Sequence, residues 1–285
     1  MILASQIAAF FHQSIQSDFE ISSVNKIEDQ KQNSLCFIED LGTNHKQFLM
    51  CPNMLVLANT NPSGNFKSSI LRIDNPKKGF SEILYNFGIK SNFADIFEKA
   101  SLPLQYGVNL VCGNNLNFSG KIIIGNNVTI GNNVVLTGPL DIGDNTSIGN
   151  GTVIGSEGFG FTFEESNVAT RFPHMGKVII GSHVEIGDQC HIAKGSIQAT
   201  MICDHVKINA QTRIAHNVYV GAPSILCSCS ISGSSSIGED CWIAPGAIVR
   251  NKVNIGDGTM VGLGAVVTKS FGKNLKVFGN PAETR

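Results

Sequence analysis

The chain has 285 residues, of which 30 are Gly and only 15% are charged, and its formal net charge is −1. That balance lacks the basic surplus that nucleic acid or an anionic membrane surface requires, so neither is expected as a partner. No apolar run reaches the roughly 18 residues of a membrane span. Ser5, Gln6, His12 and Gln13 interrupt the apolar stretch Met1–Ile15, which has no basic flank and makes a poor signal peptide. Eight Cys without a Cys-x-x-Cys pair fit reduced thiols, and a cytoplasmic location is expected.

The length allows one or two domains. Only four of the 30 Gly precede residue 101, whereas 11 of 21 aromatics do, so a boundary is expected near residue 100, close to Pro103. In residues 1–100, Leu3, Ile7, Phe10, Phe11 and Ile15 recur at helical spacing. Ser34–Ile38, Met54–Ala58 and Ser68–Ile73 read as short strands bounded by turn formers. Asn75-Pro76 opens a second helix with Phe80, Ile83, Leu84 and Phe87 on one face. A small α/β domain is expected.

Beyond it lies a repeat. Every sixth residue is aliphatic from Ile124 through Ile130, Leu136, Ile142 and Ile148 to Ile154. The pattern returns at Ile180–Ile192 and Ile202–Leu226, slips by one, and runs from Ile237 to Val267, so that 20 positions fit. A period of six with one inward aliphatic residue gives a short strand and a turn. Three such units close a triangular coil, and coils stack as parallel strands about 4.8 Å apart. Pairs such as Asn126-Asn127 and Asn132-Asn133 suit the corners, where φ is positive. The expected fold is mainly β, a parallel β-helix of about seven coils over 101–270. Residues 156–177 form an aromatic insertion, 193–201 a shorter break, and 271–285 a C-terminal extension.

A solenoid implies no activity by itself. His216, two residues past the inward Ile214, is either a solvated corner residue or a general base whose pKa suits deprotonation near neutrality. His174 in the insertion reads first as a surface-loop residue and second as a ligand contact. Phe159, Phe161 and Phe163 either wall an apolar groove or pin the loop to the coil. Successive His from His174 to His216 lie 9, 8, 14 and 11 residues apart, which excludes the five-residue pair of a β-helix zinc site, so no metal is expected. Cys190, Cys203 and Cys241 on repeat positions, and the Cys227/Cys229 pair, read as small hydrophobes.

Gly158-Phe159-Gly160-Phe161, Pro173-x-x-Gly176-Lys177-Val178-x-Ile180-Gly181 and Ile214-Ala215-His216-Asn217, standing in order among the hexads, carry a resemblance. The chain resembles the N-acyltransferases of lipid A biosynthesis, which act on UDP-3-O-(3-hydroxyacyl)glucosamine. Leu35–Ile38, Met54–Ala58 and the Asn75-Pro76 helix look like that family's uridine-binding domain. The resemblance implies a homotrimer of left-handed β-helices with active sites in clefts between subunits. It implies that His216 deprotonates the sugar amine, Phe37 stacks on uracil, and the segment Phe159–His174 borders the acyl groove. Backbone N–H groups of the coils would form the oxyanion hole.

Three positions and the C-terminal segment depart from the family pattern. Asn209 stands where an Asp precedes the catalytic His by seven residues; Asn orients an imidazole without stabilising its cation as a carboxylate does. Lys252 replaces a second His, and Thr43 a second uracil-facing aromatic unless the Gly42-Thr43 region is shifted. The ending Gly264–Lys269 … Gly279-Asn280-Pro281-Ala282 is similar to acetyl-CoA-dependent hexapeptide acetyltransferases, where Lys269 would meet CoA phosphates. No bound cofactor is expected; the co-substrate is a phosphopantetheine thioester, on acyl carrier protein or CoA. The expected function is transfer of a 3-hydroxyacyl group to the amine of a UDP-linked amino sugar; the first alternative is transfer of an acetyl or short acyl group from CoA to a nucleotide-linked amino sugar for surface polysaccharide. The alternative from another class is a non-catalytic solenoid that binds a nucleotide sugar.

Overall fold

A computed structural model describes residues 2–39, 43–62, 64–87, 104–163 and 167–284. The expected boundary near residue 100 and Pro103, and Gly42, lie outside the described residues, as does the side chain of Thr43. The chain divides into two compact units, Met1–Ser91 with Gly160–Pro173, and Asn92–Phe159 with His174–Arg285.

The first unit is built on a parallel sheet in the order Ser23–Val24, Ser34–Ile38, Met54–Ala58, Ser69–Arg72. Met54–Ala58 is buried throughout, as a central parallel strand must be. The helix Pro76–Asn86 begins as its sequence dictates: Pro76 takes the first position, and the Asn75 side chain accepts from the Lys78 N–H at 3.0 Å. It buries Phe80, Ile83 and Leu84. The first helix is shorter than its apolar spacing suggests, ending at Phe10. The inserted segment is divided between the units: Phe161–Phe163 and Ala169–Arg171 form an antiparallel hairpin belonging to the first unit.

The second unit is a left-handed parallel β-helix with three faces. Two faces carry eight strands each, and the third carries nine parallel strands and one that folds back. Eight complete coils therefore stack among the described residues, one more than the repeat suggests. The first coil, Leu104–Ser119, does not register in the hexad count because Tyr106, Cys112 and Phe118 replace the usual Ile or Leu. The segment 271–285 is not a separate appendage. Phe271 bridges to Ile255, and Lys276–Phe278 pairs with Met260–Val261, which begins a ninth coil.

All 20 hexad positions are buried. A second inward column stands two residues before each of them: Val128, Val134, Thr146, Thr152, Val206, Thr212, Ser224 and their equivalents. Its hydroxyls are satisfied by carbonyls of the adjacent turns, as in Thr152 Oγ1 to Gly187 O (2.9 Å) and Ser224 Oγ to Gly238 O (2.8 Å). A buried hydroxyl so paired avoids the desolvation cost of an unmet one. Asn127 and Asn133 sit at corners with φ of 54° and 56°. The slip after Leu226 is absorbed at the corner carrying Ser228, and Ser230–Ile231 pairs in register with both neighbouring strands.

Cys190, Cys229 and Cys241 occupy the second column and are buried, while Cys203 and Cys227 are half-buried. Burial raises the thiol pKa of Cys36, Cys190 and Cys241, and pushes that of Cys229 up to about 12. Thiols so protonated are inert at neutral pH. Iodoacetamide at pH 7.5 is therefore expected to alkylate the exposed Cys112 well before Cys36, Cys190, Cys229 or Cys241. Mass spectrometry of the timed digest checks this, and equal labelling rates would contradict it. No helix is long and apolar enough to cross a membrane among the described residues.

Candidate active site

The inward column fixes what stands at one edge of the β-helix. Ile192 pairs with Ile214, Ile214 with Ile231, and Ile231 with Val249. Two residues further along each strand, the chain turns the same corner with Lys194, His216, Gly233 and Asn251, which is followed by Lys252. Glu157 holds the equivalent place one coil earlier, after the bulge between Ile154 and Ser156. Lys269 holds it one coil after Asn251. The edge is thus a file of polar groups spaced at about 4.8 Å per coil.

His216 is half-buried within this file. Its ring meets that of His174 edge to face, with centroids 5.0 Å apart. Glycines on either side make room for it. A Cβ on Gly233 would lie 2.6 Å from His216 Nε2 and 2.7 Å from Cε1. A Cβ on Gly158 would lie 2.8 Å from His216 Cβ and would overlap the His174 ring. The buried Gly233 N–H donates to no group among the described residues, while the neighbouring Ser234 N–H is bonded to His216 O at 2.9 Å.

His216 Nδ1 lies 3.0 Å from Asn217 Oδ1. Asn217 has φ of 58°, a conformation that Asn tolerates better than most residues. Asn209 is not the partner of His216. It stands at a different edge, where its Oδ1 accepts from the Ala210 N–H at 2.8 Å and its Nδ2 lies 3.5 Å from Ser228 Oγ. Within the chain the two corners are separated by a whole face, and the side chain that meets His216 Nδ1 is that of Asn217.

His174 is 1% exposed, which corrects its reading as a surface-loop residue: it packs beneath the edge against His216. Phe159 is 78% exposed and belongs to the second unit, whereas Phe161 belongs to the first, where the Arg171 guanidinium lies over its ring. In the first unit Phe37 is half-buried, with its ring centroid 4.9 Å from Phe80 and 6.1 Å from Phe172. Lys252 is exposed, with its N–H bonded to Gly233 O. Lys269 pairs with Glu283 at 2.8 Å, so an anionic ligand would have to displace that carboxylate, and an exposed pair of this kind is weakly held.

Lys194 escapes inspection of motifs, yet its side chain is only 6% exposed. Burial pushes the amine pKa down, and the Glu157 carboxylate opposes that shift. Counting two residues on from each inward Ile would have found it. The same count finds Gly233 only if the one-residue slip is placed before Ile231.

The repeats match the model of the bacterial transferase hexapeptide (six repeats) at residues 121–156 and 234–269. Over 122 residues, 42% of this chain, the sequence is 38% identical to the UDP-3-O-acylglucosamine N-acyltransferase of Albidiferax ferrireducens. Over 125 residues it is 36% identical to the protein of that name from Cupriavidus metallidurans and 34% identical to that from Bordetella pertussis. The matched stretches span only 37%, 34% and 34% of those relatives, about a third of their length. Among solved structures, a UDP-N-acetylglucosamine acyltransferase from Bacteroides fragilis shares the fold at 17% identity, with a TM-score of 0.52 over 64% of this chain and 72% of that one. Residues 121–156 and 234–269 thus carry hexapeptide repeats of the bacterial transferase type, and a stretch of the chain is similar in sequence to proteins named UDP-3-O-acylglucosamine N-acyltransferase.

Proposed function

We propose that this protein transfers an acyl group from a phosphopantetheine thioester to the amine of a UDP-linked amino sugar. The observation that carries the reading is the His216 imidazole, set between Gly158 and Gly233 on the edge of a solenoid similar to acyltransferases. The unprotonated ring nitrogen takes a proton as the amine attacks the thioester carbonyl. The carbonyl oxygen gains negative charge, and the Gly233 N–H, which has no acceptor among the described residues, is offered as the donor that receives it. Collapse of the tetrahedral intermediate breaks the C–S bond, and the imidazolium returns its proton to the thiolate. The products are an amide and a free thiol.

The remaining roles belong to the same proposal. Phe37 offers a half-buried ring for a uracil base, and the exposed Phe159 an apolar surface for an acyl chain, with Phe161 as a further substrate contact, whereas the buried His174 acts through the His216 ring it packs against. Lys252 and Lys269, two and three coils beyond His216 on one edge, offer cations to a donor phosphate. A 3-hydroxyacyl donor on acyl carrier protein agrees with the named relatives. A CoA donor is favoured by the ending Gly279-Asn280-Pro281-Ala282, which closes the last coil beside Lys269. The protein is proposed to be cytoplasmic and a homotrimer. The outward ladder Ile225, Trp242 and Met260 on successive coils of one face supplies apolar area for a second copy.

One assay matrix tests the reading: acyl-CoA and acyl-carrier-protein donors, each against UDP- and dTDP-linked amino sugars. Amide formation with carrier protein alone eliminates the CoA reading, and amide formation with CoA alone eliminates the carrier-protein reading. No product from any pair would leave the solenoid as a binding protein.

A further inference from the structure

We infer that the short break in the repeat at residues 193–201 serves the site, by fixing which nitrogen of His216 is basic. The inference rests on His216 being the base. The break adds four residues between Ile192 and Ile202 beyond the usual step of six. It carries Ser196 and Gln198 to the side chain of Asn217.

Each end of the Asn217 amide meets a backbone group that can act in only one way. The Ser196 N–H, a donor alone, lies 3.0 Å from Oδ1, and Ser196 Oγ donates to the same oxygen at 2.7 Å. The Gln198 carbonyl, an acceptor alone, lies 3.1 Å from Nδ2. The amide therefore cannot be flipped: its oxygen faces Ser196 and its nitrogen faces Gln198. The same oxygen lies 3.0 Å from His216 Nδ1. A carbonyl oxygen only accepts, so Nδ1 must carry the hydrogen in the neutral ring. The lone pair is left on Nε2, the ring atom nearest the place a Cβ on Gly233 would occupy. The Thr200 hydroxyl accepts from the Asn217 N–H at 2.9 Å and fixes the backbone as well.

Without the break there would be no Ser196 N–H at this point. Asn217 could then present Nδ2 to His216, which would move the proton to Nε2 and leave the basic nitrogen facing away from Gly233. Ser196 and Asn217 are positioning residues: they act through His216, and Asn supplies the direction of the proton without a second negative charge.

The test reads the tautomer directly. In full-length protein with 15N-labelled His, long-range 1H–15N correlation spectra at pH 8 distinguish the two nitrogens of His216. The Nδ1–H tautomer is expected to exceed the other by about five- to tenfold, the ratio that one net hydrogen bond imposes. Asn217→Gly removes the amide while keeping a residue suited to positive φ, and is expected to abolish that excess. Asn217→Asp retains an acceptor, restores the excess and moves the acid limb of the rate profile to higher pH. Ser196→Ala, which keeps the backbone donor, is expected to reduce the excess by about half or more and to lower kcat with little change in KM. A wild-type ring with Nε2–H predominant, or an excess unchanged in Asn217→Gly, would overturn the inference. Absence of acyl transfer with an intact Nδ1–H excess would instead refute the proposed activity, since the spectra need no substrate.

Discussion

His216→Ala is expected to lower turnover by about 10²–10⁴-fold, the usual scale for losing a general base. The effect should fall on kcat, because the imidazole acts on a proton that moves only as the amine attacks. Binding groups along the edge remain in place, including Gly233 and Lys252. The fold should persist: the Asn217 side chain keeps its bonds to Ser196 and Gln198, and Ile214 still fills the core. Steady-state rates at saturating donor and acceptor, with far-ultraviolet circular dichroism as the control on folding, decide the matter. A variant within about threefold of the parent, against the 10²-fold lower bound, would remove His216 from the chemistry.

The reason His216 can be found by reading the sequence, while its neighbours cannot, lies in what a hexad encodes. Step-six periodicity is a local property, and it places the inward column, the corners and the faces of every regular coil. It therefore identifies Ile214 as inward and His216 as a corner residue without any knowledge of contacts. Contacts between corners depend on register across coils, which insertions and slips alter. The 20 extra residues between Ile154 and Ile180, and the four between Ile192 and Ile202, shift the count for everything upstream of His216. That is why Lys194, one coil before His216 by pairing, and Glu157, two coils before it, look unrelated to it in sequence.

Asn209 shows the opposite case. It lies only seven residues before His216, but a solenoid spends six residues on each face, so that short separation places it at a different corner. Asn217 is nearer in sequence and is hidden by its conformation, since a left-handed corner residue ordinarily presents a solvated side chain. Only the bonds from Ser196 and Gln198 turn it toward the ring. His174 is misplaced for a related reason: an aromatic insertion into a solenoid suggests exposure, whereas Gly160–Pro173 folds with the first unit and His174 returns to the buried base of the edge.

Gly233→Ala should be nearly as damaging to turnover as loss of the base itself, although it adds one methyl group and removes no functional atom. The new Cβ would stand 2.6 Å from His216 Nε2 and 2.7 Å from Cε1, closer than van der Waals contact permits. Relief cannot come from the backbone, because Ser232 and Ser234 on either side are bonded to the adjacent coils through Val249 O and His216 O. The ring must give way. His174 packs against it and Asn217 restrains Nδ1, so the motion carries Nε2 away from the position where an amine would meet it. A displacement of about 1 Å at a reacting group costs on the order of 10²-fold in rate. Thermal stability measures the alternative, that the added methyl merely loosens the coil: a loss of activity with an unchanged melting temperature supports displacement of the ring. Retention of activity within about threefold would show that Nε2 does not need the space beside Gly233, and would return the basic nitrogen to Nδ1.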